Sequence, residues 1–213
     1  MPSPPRRTPL TRADIVAAAL EIIDTDGVDA LTMRRLGQRL SVDPMAVYYH
    51  LPNKAAVLEG VLDHLWAGVR MPPPVAGETW PDLLFGLFSS LRDQLRAHPG
   101  AVAILGSRPA TTVAQLALME STVQRLGEAG LPAGEAMPLL DCLSGFTIGK
   151  LLAETTLTRP GGQEQIAAAL ASVSPASHPY LLGALMQGYD VAPDAQFDRG
   201  LRALITGWAH PPS

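Results

Sequence analysis

Residues 32–54 read Thr-Met-Arg-Arg-Leu-Gly-Gln-Arg-Leu-Ser-Val-Asp-Pro-Met-Ala-Val-Tyr-Tyr-His-Leu-Pro-Asn-Lys. Two short helical stretches flank a tight turn at Ser41-Val42. Thr32 caps the first, which turns Leu36 and Leu40 inward. Asp43 caps the second, with Pro44 at the first helical position, where its missing N–H costs nothing. A stretch this short buries little by itself, so it must pack on neighbours and present one face outward. That pattern is a helix-turn-helix, whose second helix is built to enter a DNA major groove. Val47 and Leu51, four apart, are expected to face the core, leaving Met45, Tyr48 and Tyr49 on the other side. Two adjacent tyrosines suit DNA, where rings pack on sugars and thymine methyls and hydroxyls reach phosphates. The alternative is that one of them fills the seam with the next helix, although a buried hydroxyl then needs a partner. Arg34 stands in the first turn of the backbone-crossing helix. Lys54 opens the helix after the aromatic pair, where its charge and free N–H groups suit a phosphate.

Outward from this stretch, the reading is all-α. Thr11 with Asp14 resembles a capping box and opens a helix carrying Ile15, Val16, Ala19, Leu20, Ile22 and Ile23, stopped by Gly27. Asn53 caps a longer helix bearing Val57, Leu58, Val61, Leu62 and Leu65. Pro72-Pro73-Pro74 read as a stiff boundary. Apolar helical patterns follow over 79–97, 110–129, 133–157, near 178–188 and over 194–209, while 158–177 is poorly patterned. The expected organisation is a flexible basic arm over 1–10, a three-helix DNA-binding domain with its connecting helix over 11–70, and a helical ligand-binding and dimerisation domain over 75–213.

Of 213 residues, 47% are apolar, ample for a core, and 17% are charged. The net charge of −4 conceals a division: residues 1–54 hold seven basic against six acidic side chains, and the remainder nine against fourteen. Position gives the small N-terminal excess its weight, since Arg6, Arg7, Arg12, Arg34, Arg35, Arg39 and Lys54 can share one face. The lone Cys142 excludes an intramolecular disulfide, fits a reducing cytoplasm, and is expected to be a buried, inert thiol. No segment is expected to span a membrane, and no phosphate-cradling glycine loop, G-x-S-x-G or H-E-x-x-H is present.

The run from Leu31 to Lys54, ending Val-Tyr-Tyr-His-Leu-Pro-Asn-Lys, resembles the DNA-binding domain of the tetracycline-repressor (TetR) family. Similarity to the tetracycline-repressor subclass continues through Gly77-Glu78-Thr79-Trp80, Leu105-Gly106-Ser107-Arg108-Pro109 and Gly145-Phe146-Thr147-Ile148-Gly149. The resemblance implies a ligand-responsive regulator, most often a repressor, that binds a palindromic double-stranded operator as a homodimer and is released by a small-molecule effector. It assigns DNA contacts to Arg34, Met45, Ala46, Tyr48, His50 and Lys54, with Tyr49 added by the helix reading above. Pro44 and Ala46 depart from the subclass, which carries glutamine and threonine there, so the operator should rely more on apolar contacts and DNA shape.

For the effector, the resemblance nominates Leu87, Leu91, Ile104, Arg108, Pro109 and Met137. Polar groups within apolar helices add His64, Arg70 and Glu120. Ile104 replaces the subclass's metal-binding histidine, and an aliphatic side chain cannot ligate a hard cation. A largely apolar effector is expected, with no metal and no cofactor. Dimerisation is expected through helices near 135–157 and 194–209, where Gly145 and Gly149, each costing about 1 kcal/mol in a helix, suit close helix approach. A helical enzyme using Arg108, Glu120 and His64 lacks a paired acid and base. The remaining alternative is a helical small-molecule binder with weakened DNA binding.

Overall fold

The computed structural model describes residues 9–107, 112–158, 161–187 and 192–209, which form eleven α-helices and no strands. The first four are α1 (Arg12–Asp26), α2 (Met33–Leu40), α3 (Pro44–His50) and α4 (Lys54–Gly68). α1 opens on a capping box: Asp14 N–H donates to Thr11 Oγ1 at 3.2 Å, and Thr11 N–H returns to Asp14 Oδ2 at 2.9 Å. The hydroxyl hydrogen bond from Thr11 holds the Asp14 carboxyl below its usual range. Thr32, Asp43 and Asn53 cap the next three helices, as their positions predict. Between α2 and α3, Ser41 is the one non-glycine residue with positive φ (54°) among the described residues. The turn folds back so closely that a Cβ on Gly37 would lie 3.0 Å from the Val42 carbonyl oxygen, which explains a glycine inside α2.

The body comprises α5 (Trp80–Ala97), α6 (Val102–Ser107), α7 (Val113–Glu128), α8 (Ala133–Thr158), α9 (Gly162–Ala171), α10 (Pro179–Met186) and α11 (Pro193–Ala209). Pattern reading misses two of these. α6 is too short to show a period. α9 (Gly-Gln-Glu-Gln-Ile-Ala-Ala-Ala-Leu-Ala) is helical through alanine propensity and carries no buried stripe. α8 crosses α5, α6, α7 and α11 and buries Leu139, Leu143, Thr147 and Leu151. At its lower end Arg92 of α5 is nearly sealed. It pairs with Asp194 (2.9 Å) and Glu154 (3.4 Å), and lies 4.4 Å above the Phe197 ring, which stacks on Phe146.

Three expectations change. The prolines at 72–74 do not separate two cores, because one buried cluster runs from Ile15 to Ile205. α4 packs on both α1 and α7, so its apolar faces belong to both halves. Cys142 is exposed, not buried; α8 is apolar around most of its circumference, so periodicity cannot say which side turns inward. For the same reason Ala133–Thr155 is long and apolar enough to cross a membrane, by length and composition alone. Here it packs among four other helices.

Candidate DNA-binding face and ligand cavity

Within α3 the division of faces follows from burial. Val47 is wholly buried and Leu51 nearly so, while Met45 is 70%, Tyr48 42% and Tyr49 87% exposed. A buried pair four residues apart thus anchors α3 and leaves two tyrosines and a methionine presented together. The His50 ring meets Tyr49 edge-on, with centroids 5.3 Å apart. Ala46 and His50 are half-buried, and Arg34 is exposed on α2. Lys54 is half-buried, and one of its ammonium protons goes to the Val28 carbonyl oxygen at 2.9 Å. It ties α4 to the loop after α1 and keeps two donors.

The basic face is narrower than the sequence predicts. Arg35 pairs with Asp26 and Arg39 with Glu21, both on α1. An α2 helix crossing α1 must turn one side toward its acidic residues, and that side carries these two arginines. Arg34, one position earlier, points elsewhere on the helix and makes no ion pair among the described residues. Arg6 and Arg7 lie outside the described residues.

A cavity of about 370 Å³ lies between α4, α5, α6, α7 and α8. Leu87, Leu91 and Met137 line it as expected, and the structure adds Trp66, Phe88, Gln115, Leu118 and Ile148. Ile104 is buried but does not line it. His64, Arg70 and Glu120 are exposed and stand outside it, with Arg70 on a separate groove beside Pro72 and Asp93. Arg108 and Pro109 lie outside the described residues. Apolar periodicity puts Trp66 on the inward stripe of α4, but only the placement of α7 opposite reveals that it borders a cavity. No cluster of three or more His, Cys, Asp or Glu occurs among the described residues, and no set of metal ligands stands in the wall.

Polar contacts from α1 and α4 join the head to the body. Asp63 of α4 accepts the backbone N–H of Ala114 in the first turn of α7 at 2.9 Å, satisfying a donor that has no partner inside its own helix. Asp24, near the end of α1, meets His98 Nδ1 at 2.8 Å and accepts the Gly100 N–H at 3.2 Å. α7 thus joins the cavity wall directly to α4, which also packs along α1.

Comparison with known proteins matches both halves. Residues 15–61 match the family described as bacterial regulatory proteins, tetR family, and residues 73–210 match the tetracyclin repressor-like, C-terminal domain. The chain is 34% identical to the tetracycline repressor protein class A from transposon 1721 of Escherichia coli, covering 95% of this chain and 92% of that protein. A possible TetR family transcriptional regulator from Streptomyces coelicolor A3(2) superposes with a TM-score of 0.82 at 30% identity, covering 93% of this chain and 98% of the other. ActR of Streptomyces coelicolor in complex with actinorhodin superposes with a TM-score of 0.79 at 30% identity, covering 95% and 96%.

Proposed function

Because the chain belongs to the tetR family of bacterial regulatory proteins and is a ligand-responsive transcriptional regulator, we propose that it represses by occupying a palindromic operator as a homodimer. The observation that carries this reading is the exposed face of α3, where Met45, Tyr48 and Tyr49 stand clear above the buried Val47 and Leu51. Arg34 and the two remaining Lys54 protons serve as flanking phosphate contacts. Acting on DNA, the protein works in the cytoplasm and performs no catalysis.

Fluorescence anisotropy against DNA flanking the protein's own gene, at several salt concentrations, tests this. Affinity should fall linearly in log–log form with salt as counterions are released. Tyr48→Ala should weaken binding about 10-fold at every salt concentration without altering the slope, because it removes base and sugar contacts and no charge. Weak binding indifferent to both salt and mutation would leave a helical ligand binder and overturn the reading.

The effector occupies the cavity at Leu87, Leu91 and Met137, and its apolar wall favours a small, largely apolar, metal-independent molecule. Arg108 and Pro109 remain candidates through the family resemblance alone. The Asp63–Ala114 hydrogen bond carries the signal: a ligand that shifts α7 pulls the start of that helix and, through Asp63, α4 with it. Asp63→Ala should therefore leave operator affinity without ligand within about 2-fold, yet reduce ligand-driven release several-fold of the roughly 5- to 150-fold usual for such coupling. Unchanged release in this variant would place the route elsewhere.

Dimerisation uses α8 and α11. A Cβ on Gly145, Gly149 or Gly207 would meet nothing within 4 Å in the protomer, so internal packing does not call for glycine there. The exposed Leu204 belongs to the same pair of helices. A second copy laid against them gives the three glycines and the leucine a partner, and sets two heads about 34–36 Å apart for successive major grooves.

A further inference from the structure

The cavity is apolar but not uniformly so, and its few polar atoms discriminate among ligands. Thr122 Oγ1 donates to the Leu118 carbonyl oxygen at 2.6 Å, and Ser144 Oγ to that of Leu140 at 2.7 Å. Both hydroxyl protons are therefore satisfied within their own helices. Two other side-chain atoms are not: Trp66 Nε1 and Gln115 Oε1 are buried, and no protein group pairs with either. Both residues line the cavity, and Trp66 is more than nine-tenths buried. An indole N–H only donates, and a buried donor left unsatisfied is costly. No cationic side chain lines the wall among the described residues, and Asp141 is its one carboxylate.

Resting on the ligand-responsive reading above, we propose that this cavity takes a neutral, flat, mostly hydrocarbon molecule with a carbonyl-type acceptor for Trp66 Nε1–H and a hydroxyl-type donor for Gln115. Anionic ligands are disfavoured. No described cation meets them, and the Asp141 carboxylate opposes them. The ring faces of Trp66 and Phe88 and the branched walls of Leu87, Leu91 and Ile148 take the hydrocarbon; the two polar atoms fix its orientation. Recognition is then set by matching atoms that would otherwise stay unpaired, which penalises analogues lacking them more than the same bonds reward ligands having them.

Equilibrium dialysis of the full-length chain with four compact probes tests this: naphthalene with no polar atom, coumarin with an acceptor, umbelliferone with acceptor and donor, and a coumarin carboxylate. The expected order of affinity is umbelliferone, coumarin, naphthalene, carboxylate, with steps of about 10-fold for each hydrogen bond gained. Trp66→Phe keeps an aromatic face and removes the N–H together with part of the bicycle. It should cost coumarin and umbelliferone about 10-fold more than it costs naphthalene, a difference that a purely structural tryptophan would not produce. Gln115→Met should cost umbelliferone alone. Umbelliferone binding no tighter than naphthalene, or losses in Trp66→Phe shared equally by all probes, would overturn the proposal. Operator binding, measured on the same samples, separates the two readings. If it persists while the probe order fails, only the ligand chemistry falls. If it is absent while the order holds, the cavity assignment stands and the regulatory reading falls.

Discussion

Gly149→Glu combined with Leu204→Glu is expected to convert the protein to a folded monomer and to weaken operator binding roughly 10²- to 10⁴-fold. The size of the effect comes from linkage. Two heads on one dimer make the second half-site contact intramolecular, and separate monomers must each bind alone. The fold should survive because the site is empty in the protomer. A Cβ at Gly149 meets nothing within 4 Å, and Leu204 is already 39% exposed. A carboxylate at either position reaches solvent in a monomer and is buried without a partner in a dimer, at a cost of several kcal/mol per ion by order of magnitude. Analytical ultracentrifugation with circular dichroism reads both quantities. A dimer that persists at micromolar concentration would show that α8 and α11 are not the interface. A variant that does not fold would show that these positions serve the protomer instead.

Gly100→Ala is expected to lower the melting temperature by about 5 °C and to weaken operator binding with it. A Cβ there would sit 2.2 Å from the Ile23 carbonyl oxygen and 2.8 Å from Asp24 Cα. Both atoms are backbone, so no side chain can rotate away. The end of α1 and the turn between α5 and α6 must separate, and the two hydrogen bonds that Asp24 makes across the gap must lengthen. Overpacking of this kind costs about 1–3 kcal/mol, and each kcal/mol is worth about 2–4 °C in a chain of this size. His98→Ala provides the comparison, since it removes one bridging contact without a clash and should cost less than Gly100→Ala. Melting of Gly100→Ala within a degree of the natural protein would mean that head and body do not meet this closely. Operator binding that stays weak at low temperature, where the variant is fully folded, would attribute the defect to displacement of the head.

Most of the head is legible in the chain because its cues are local. Thr11, Thr32, Asp43 and Asn53 are each placed to accept the N–H groups at a helix start, and each does so. Val47 and Leu51 face inward because a four-residue spacing allows nothing else once α2 packs beneath them. The body is less legible. α8 is apolar on nearly every side, so its sequence does not distinguish the face packed on α5, α6, α7 and α11 from the one that carries Cys142, Gly145 and Gly149. His64 and Glu120 stand out as polar residues in apolar helices, yet helix crossing angles turn them to solvent, and Arg70 lies past the end of α4.

By itself, then, the sequence determines most of the helices, the caps of the first four, the glycine-permitted turn after α2 and the outward face of α3, since each depends on residues within one or two turns of one another. Only the tertiary structure decides which arginines are neutralised by α1, that α4 belongs to head and body alike, and that Trp66 and Gln115 meet at one cavity. Those outcomes depend on distances between helices far apart in the chain. Crossing geometry sets such distances, and no local pattern encodes it.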